Sequence, residues 1–318
     1  MCTCLDLRGI NHYFGRTLDL DYHFNEEAVI TPRGFSLSFT NGEVIKSKYA
    51  IIGTAMVFDG VASYYEAANE AGLAIAGLNF PYNASYNAPV DGMLNLTSGE
   101  LISYFLASYE SISDLRMDLA RLNLTNLAIN GYPPTPLHFM ISDEVECIVV
   151  EQTKSGLMVY ENDYGVMTNN PSFNLQIKHA ANTLSLSNEY KEAEEPGYSC
   201  VGLSGVGLPG DFSSMSRFQR IAYLRKYIRL TDSENNNAIE FFHALALASM
   251  PAGLVQSKNG GYDITYYTSC INVTKGIYYY KTYYNNEIKS IRLNEENINS
   301  SMLTRYPLDY DCHIKALN

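Results

Sequence analysis

Residues 1–19 read MCTCLDLRGINHYFGRTLD, a strand, a turn and a returning strand. Residues 2–8 alternate in the manner of a strand, Gly9-Ile10-Asn11 supplies a turn, and residues 12–18 return as a second strand. Such a hairpin brings Arg16 and Asp19 back beside the N-terminus. Cys2 is an ordinary cysteine on its own. If Met1 is removed, however, one residue carries both a thiol and a free α-amine. An α-amine titrates at about 7.7–8.0 and a thiol at about 8.5, a pair matched for proton transfer near neutral pH. Nucleophile and base then share one residue and no histidine is needed. A neighbouring arginine stabilises a thiolate, and a carboxylate can hold the amine in place.

Outward from the hairpin, apolar runs at 49–58 and 73–80 are of buried-strand type. Ser98 is placed to cap a helix carrying Leu101, Ile102 and Phe105 on one face. Ser111 with Asp114 resembles a capping box, and Ile112, Leu115, Leu119 and Leu122 recur as one helical stripe. Pro133, Pro134 and Pro136 close that region. Further strands are expected at 137–142, 147–153 and 157–161, helices near 174–187, 214–229 and 238–249, and last strands at 264–274, 276–284 and 287–293. Strands, helices, strands, helices and strands without a linker or internal repeat predict one α/β layered domain over residues 1–318.

Composition narrows the function. Of 318 residues, 46% are apolar and 18% charged, with 22 Lys+Arg against 34 Asp+Glu and a net charge of −12. That acidity argues against nucleic acid, because phosphate contact needs a basic surface. An anionic substrate would need local arginines. The chain has 26 Tyr, 13 Phe and no Trp, which fits β-sheet packing or the walls of a pocket for a large amphipath. No stretch approaches the 18 apolar residues of a membrane span, and the N-terminus does not read as a signal peptide. A cytoplasmic protein with reduced thiols is expected.

Other patterns carry little. Residues 205–210 match G-x-G-x-x-G, but no convincing strand precedes them and Pro209 removes an amide from a phosphate cradle, so a structural loop is expected. Cys2, Cys4 and His12 lack a second ligand pair, so no metal and no cofactor is expected. Cys4, Cys147, Cys200, Cys270 and Cys312 are assigned no chemistry.

Several segments in order now become informative together: Met1-Cys2-Thr3, FGRTLD at 14–19, NEAGLAIAGLNFP at 69–81, TNNP at 168–171 and GLPGDFSSMSRF at 207–218. IEFFH at 239–243, YTSC at 267–270 and GIYYYKTY at 276–283 join them. Over essentially its whole length the chain resembles the choloylglycine hydrolase family of N-terminal nucleophile hydrolases, on the side of the bacterial conjugated bile salt hydrolases. The penicillin V acylases are the sister group.

The resemblance implies a four-layer αββα sandwich that cleaves the amide between a bile acid and glycine or taurine, assembled as a homotetramer. By position, Cys2 would be the nucleophile, flanked by Arg16 and Asp19. Asn79 and Asn169 would form the oxyanion hole, and Arg217 would complete the cluster. Leu18, Phe24, Tyr65, Tyr132 and Leu137 would line the steroid pocket. Thr17 departs from the Asn common in FGRNLD. Asn79 favours the bile salt branch, since penicillin V acylases typically carry Tyr there. Gly-rich residues 251–262 are expected to form a mobile loop near the site that sets amino-acid selectivity. The alternatives are an acylase for penicillin V or acyl-homoserine lactones, and a non-catalytic bile-acid binder.

Overall fold

In the computed structural model, Cys2 pairs with Leu18 and Arg8 with His12, so the N-terminal segment forms the expected hairpin, closed at Gly9–Asn11. The structure describes residues 1–129, 131–181, 186–189, 204–312 and 314–318. The chain opens with β1 (Cys2–Arg8), β2 (His12–Leu20), β3 (Glu27–Thr31), β4 (Ser36–Ser38), β5 (Val44–Lys46), β6 (Ile51–Phe58), β7 (Val61–Asn69), β8 (Ala74–Asn79) and β9 (Leu94–Leu96). Helices α1 (Leu101–Ser108) and α2 (Ile112–Ala120) lead into β10 (Leu122–Leu124), β11 (Leu137–Ser142), β12 (Cys147–Thr153), β13 (Gly156–Glu161) and β14 (Val166–Met167). Then come α3 (Phe173–Ala180), α4 (Ser214–Tyr227), α5 (Glu234–Ala246), β15 (Ile264–Asn272), β16 (Ile277–Thr282), β17 (Lys289–Arg292) and β18 (Thr304–Pro307).

Two antiparallel sheets make the middle layers. One has the order β14-β1-β2-β15-β16-β17, the other β13-β12-β11-β8-β7-β6-β3-β18. β1 and β2 face β8 across the gap between the sheets. α4 and α5 cover the outer face of the first sheet, and α1 covers the second. This is the four-layer αββα arrangement. It explains why β1 and β2 are buried on nearly every residue: one face meets the other sheet, the other meets helices.

The tyrosine excess serves this packing. Tyr13, Tyr267 and Tyr278 are fully buried between layers. A buried phenol needs a partner for its hydroxyl. Tyr267 donates to Glu66 and Tyr278 lies against Thr54 and Glu66. β2 and β15 approach closely because residue 15 is glycine: a Cβ there would sit 2.2 Å from the Ser269 carbonyl oxygen.

The structure moves several boundaries. Ser98 does not cap α1; its hydroxyl donates to the Thr135 carbonyl, and Glu100 takes the N-cap position. Ser111 does cap α2, accepting from the Asp114 amide. Leu122 leaves the helical stripe because the parallel pairing of β10 with β9 captures it opposite Leu94. α5 starts earlier than 238, at a Ser233 cap, and ends at Ala246. α3 ends at Ala180; residues 182–185 of the expected 174–187 helix lie outside the described residues. Residues 204–207 turn, with Gly205 and Gly207 at positive φ, so the glycine pattern at 205–210 is a connection into α4.

Candidate active site

Cys2 is held from both faces of its strand. Alternation puts Cys2, Cys4, Arg16 and Leu18 on the inter-sheet face and Thr3, Thr17 and Asp19 on the helix side. On the inter-sheet face, Arg16 Nη2 donates to the Cys2 Sγ at 2.6 Å. The same guanidinium donates through Nη1 to the Gly77 carbonyl at 2.6 Å and the Tyr65 carbonyl at 3.4 Å, and through Nε to the Thr17 carbonyl at 3.2 Å. Three carbonyls from three strands thus fix a fully buried cation against the sulfur. Burial works against that charge. Cys2, Tyr267 and Glu66 outweigh it and hold Arg16 protonated above its ordinary range.

From the helix side the main chain of Cys2 is gripped instead. Its nitrogen donates to Asn169 Oδ1 at 2.7 Å. Its carbonyl accepts from Arg217 Nη1 at 2.5 Å, which also reaches Thr3 Oγ1 at 2.5 Å. Arg217 Nη2 donates to Asn169 Oδ1 at 2.9 Å and Nε to the Phe212 carbonyl at 3.1 Å. Burial pushes Arg217 below the usual arginine range, with Asp19 and Cys2 pulling the other way. Arg217 sits one turn inside α4, whose Ser213 cap fixes where the helix begins.

Asn169 is the junction. It follows β14, and Ser214 Oγ accepts its backbone N–H at 2.9 Å. Its Nδ2 donates to the Asn79 carbonyl at 2.8 Å, which ties the first sheet to the end of β8 in the second. One of the two N–H bonds of that amide is therefore committed. The Asn79 side chain is half-buried at the end of β8.

Asp19 is fully buried. Its carboxylate accepts from Thr17 Oγ1 at 2.9 Å and Thr265 Oγ1 at 2.5 Å, and its N–H donates to the Met1 carbonyl at 2.8 Å. Burial raises its pKa against the pull of the N-terminus and Arg217. With Met1 attached, the Met1 ammonium bonds the Asp19 carbonyl and pairs with Asp263 at 3.3 Å. Asp263 was not legible from sequence as a neighbour of the N-terminus. It stands at the end of residues 251–262, where Gln256 bridges Tyr262 and Ser257 Oγ donates to Asp21 at 2.6 Å.

The expected pocket residues fall into two groups. Leu18 lies opposite Cys2 and Leu137 opposite Asn79, so both border the cluster. Tyr65 is mostly buried, and its hydroxyl has no hydrogen-bond partner. Phe24 and Tyr132 are exposed, Tyr132 at 72%, with Phe24 edge-on to Tyr22. Both rings face solvent and neither is part of a buried wall. Burial pushes Cys4, Cys147 and Cys270 well above the ordinary thiol range, so these thiols are inert, whereas Cys312 is exposed. Cys200 lies outside the described residues. Among the described residues no cluster could hold a metal ion, and no helix is long and apolar enough to cross a membrane.

A family model described as linear amide C–N hydrolases, choloylglycine hydrolase family, matches residues 2–306. The chain belongs to this family. It is accordingly a C–N hydrolase acting on linear amides. It is 38% identical, over the full length of both chains, to a bile salt hydrolase/transferase of Lactiplantibacillus plantarum. A solved structure of a variant of conjugated bile acid hydrolase from Clostridium perfringens superposes with a TM-score of 0.92 at 35% identity, covering all of both chains. Penicillin V acylase from Agrobacterium tumefaciens shares the fold, with a TM-score of 0.77 at 19% identity over 96% of this chain and 90% of that one.

Proposed function

We propose that this choloylglycine hydrolase cleaves the amide of glycine- or taurine-conjugated bile salts through Cys2. The observation that carries the proposal is the grip on Cys2: a buried guanidinium on its sulfur and an asparagine oxygen on its nitrogen. After loss of Met1, that nitrogen becomes the α-amine and Asn169 Oδ1 keeps it oriented. The Cys2 thiol gives its proton to the amine, and the thiolate attacks the amide carbonyl. The oxyanion is received by the Asn79 side-chain amide and the free N–H of Asn169. Collapse breaks the C–N bond as the α-ammonium protonates the departing amine. A thioacyl-enzyme remains. Water, deprotonated by the same amine, attacks it and releases the bile acid. One oxyanion donor is worth about 10²–10³ in rate.

Leu18 and Leu137 flank the reacting atoms, where the bile acid carbons adjoining the amide would pass. Tyr65 offers an unpaired hydroxyl, and the exposed rings of Phe24 and Tyr132 receive the steroid. Arg16 and Arg217 give an acidic protein a local positive field for an anionic substrate. Asp19 holds the N-terminus. Assembly as a homotetramer and a cytoplasmic location belong to the same reading.

The test is release of free glycine or taurine from glycocholate and taurocholate. Release should be abolished in Cys2→Ala and absent in protein whose intact mass retains Met1. Faster turnover of penicillin V in side-by-side assays would replace bile salts as the substrate class. Tight glycocholate binding without turnover, in processed protein, would favour a binder. A second reading follows from the name of the 38%-identical relative, a hydrolase/transferase: a free amino acid can intercept the thioacyl-enzyme in place of water. Mass spectrometry of glycocholate incubated with excess of a different amino acid would detect the new conjugate.

A further inference from the structure

β7 carries an irregularity with a purpose. Along β6 and β7, Thr54 pairs with Glu66 but Ala55 pairs with Tyr64, so Tyr65 is an extra residue in a β-bulge. Plain alternation would put Glu66 on the same face as Tyr64, which packs in the outer layer with α1. The bulge breaks that parity and delivers both Tyr65 and Glu66 to the gap between the sheets. There the Tyr65 carbonyl accepts from Arg16, and the Glu66 carboxylate lies 3.9 Å from Arg16 Nε. Glu66 is fully buried, with Oε2 accepting from Tyr267 at 2.6 Å and Oε1 from Tyr278 at 3.3 Å.

Arg16 therefore meets two acidic groups, the Cys2 thiol at Nη2 and the Glu66 carboxylate near Nε. We propose that Glu66 is a positioning residue that acts through Arg16 to set how readily Cys2 gives up its proton. This rests on Cys2 being the nucleophile. Glu66 makes no bond to the sulfur. It shares the positive charge of Arg16, and the two phenols keep it from closing onto the guanidinium. A thiolate stabilised by all of Arg16 would be abundant but a weaker nucleophile, since thiolate reactivity falls as its basicity falls. Sharing the cation keeps the sulfur reactive. Burial raises the Glu66 carboxyl above its ordinary range, against the pull of Arg16 and of hydrogen bonds from Tyr267, Thr54 and Ser269. The other titratable groups around the pair are Cys4 beside Cys2, Tyr65 next to Glu66 on β7, Tyr267 and Tyr278 on the same sheet as Arg16, and Asp19 and Arg217 behind the strand.

The test is the pH dependence of Cys2 alkylation by iodoacetamide, followed by peptide mass in a Cys312→Ser background. Glu66→Gln keeps the shape and removes the charge. The half-maximal pH should fall by about one unit, as expected for removing a like charge nearby. The plateau rate at high pH should fall about threefold, from a reactivity slope of about 0.4–0.5 per unit of basicity. A buried structural residue would give neither change in this combination. Glu66→Asp keeps the charge and should hold the midpoint near the wild-type value. If Glu66→Gln does not fold, Tyr267→Phe serves: Oε2 loses its donor, turns onto Arg16, and the midpoint rises. An unmoved midpoint in the folded variant overturns the inference while leaving Cys2 as the nucleophile. Wild-type protein in which Cys2 is not alkylated overturns both.

Discussion

Arg217→Met should be strongly destabilising. Arg217 is completely buried and its three nitrogens serve four acceptors: the Cys2 and Phe212 carbonyls, Thr3 Oγ1 and Asn169 Oδ1. Methionine fills much of the volume but donates nothing. It also removes a cation that offsets Asp19, itself fully buried. Breaking a buried charged pair while leaving one partner in place costs about 3–5 kcal/mol. With an unfolding entropy of about 2.1 cal/mol/K per residue, 318 residues give about 0.67 kcal/mol/K. A loss of about 4 kcal/mol therefore lowers the melting temperature by about 6 °C. Scanning calorimetry at neutral pH reads this directly. Thr3→Val, which removes one of the four acceptors, should lose only about 1 kcal/mol, or between 1 and 2 °C by about the same conversion. In Arg217→Met, amine release should drop about 10²–10³-fold, because Asn169 is no longer held at the donor position. A fall of under 2 °C with turnover kept within about tenfold would refute the hub role of Arg217.

Gly15→Ala should lose about 3 kcal/mol, because its Cβ would meet the Ser269 backbone oxygen and force β2 away from β15; circular dichroism melts would show it, and a wild-type melt would refute it. Asp211 accepts from Ser213 and Ser216 at the start of α4, and these bonds hold its carboxyl down at about 2. Because that folded value lies below the unfolded value of about 3.9, its contribution is present above pH 4 and is lost as pH falls toward 2. The melting-temperature gap between wild type and Asp211→Asn should therefore be visible at pH 6 and close between about pH 4 and pH 2. A gap that persists at pH 2 would exclude Asp211 as its source.

Much of the site was legible before the fold was known. The N-terminal hairpin follows from local alternation and one glycine turn, and it alone places Arg16 and Leu18 on the face of Cys2. Ser111 and Asp114 announce α2 because capping is a contact between residues three apart. The boundaries that moved did so where a distant partner competed. Leu122 fits the helical stripe, yet β9 captures it. Ser98 has the chemistry of a cap, yet Thr135 takes its hydroxyl. Nothing local reveals such competitors.

Sequence singled out Cys2 as the candidate nucleophile through motifs spread along the chain, and the strand face it occupies follows from alternation within a local hairpin. Beyond the Arg16 that the hairpin supplies, the surroundings of Cys2 come from contacts between distant parts of the chain. Asn169 reaches Cys2 from 167 residues away, Arg217 from 215, and Asp263 meets the N-terminus across 262. Glu66 faces Arg16 only because a bulge inverts the parity of β7. A bulge depends on pairing with another strand, and that pairing exists only when the sheet has formed.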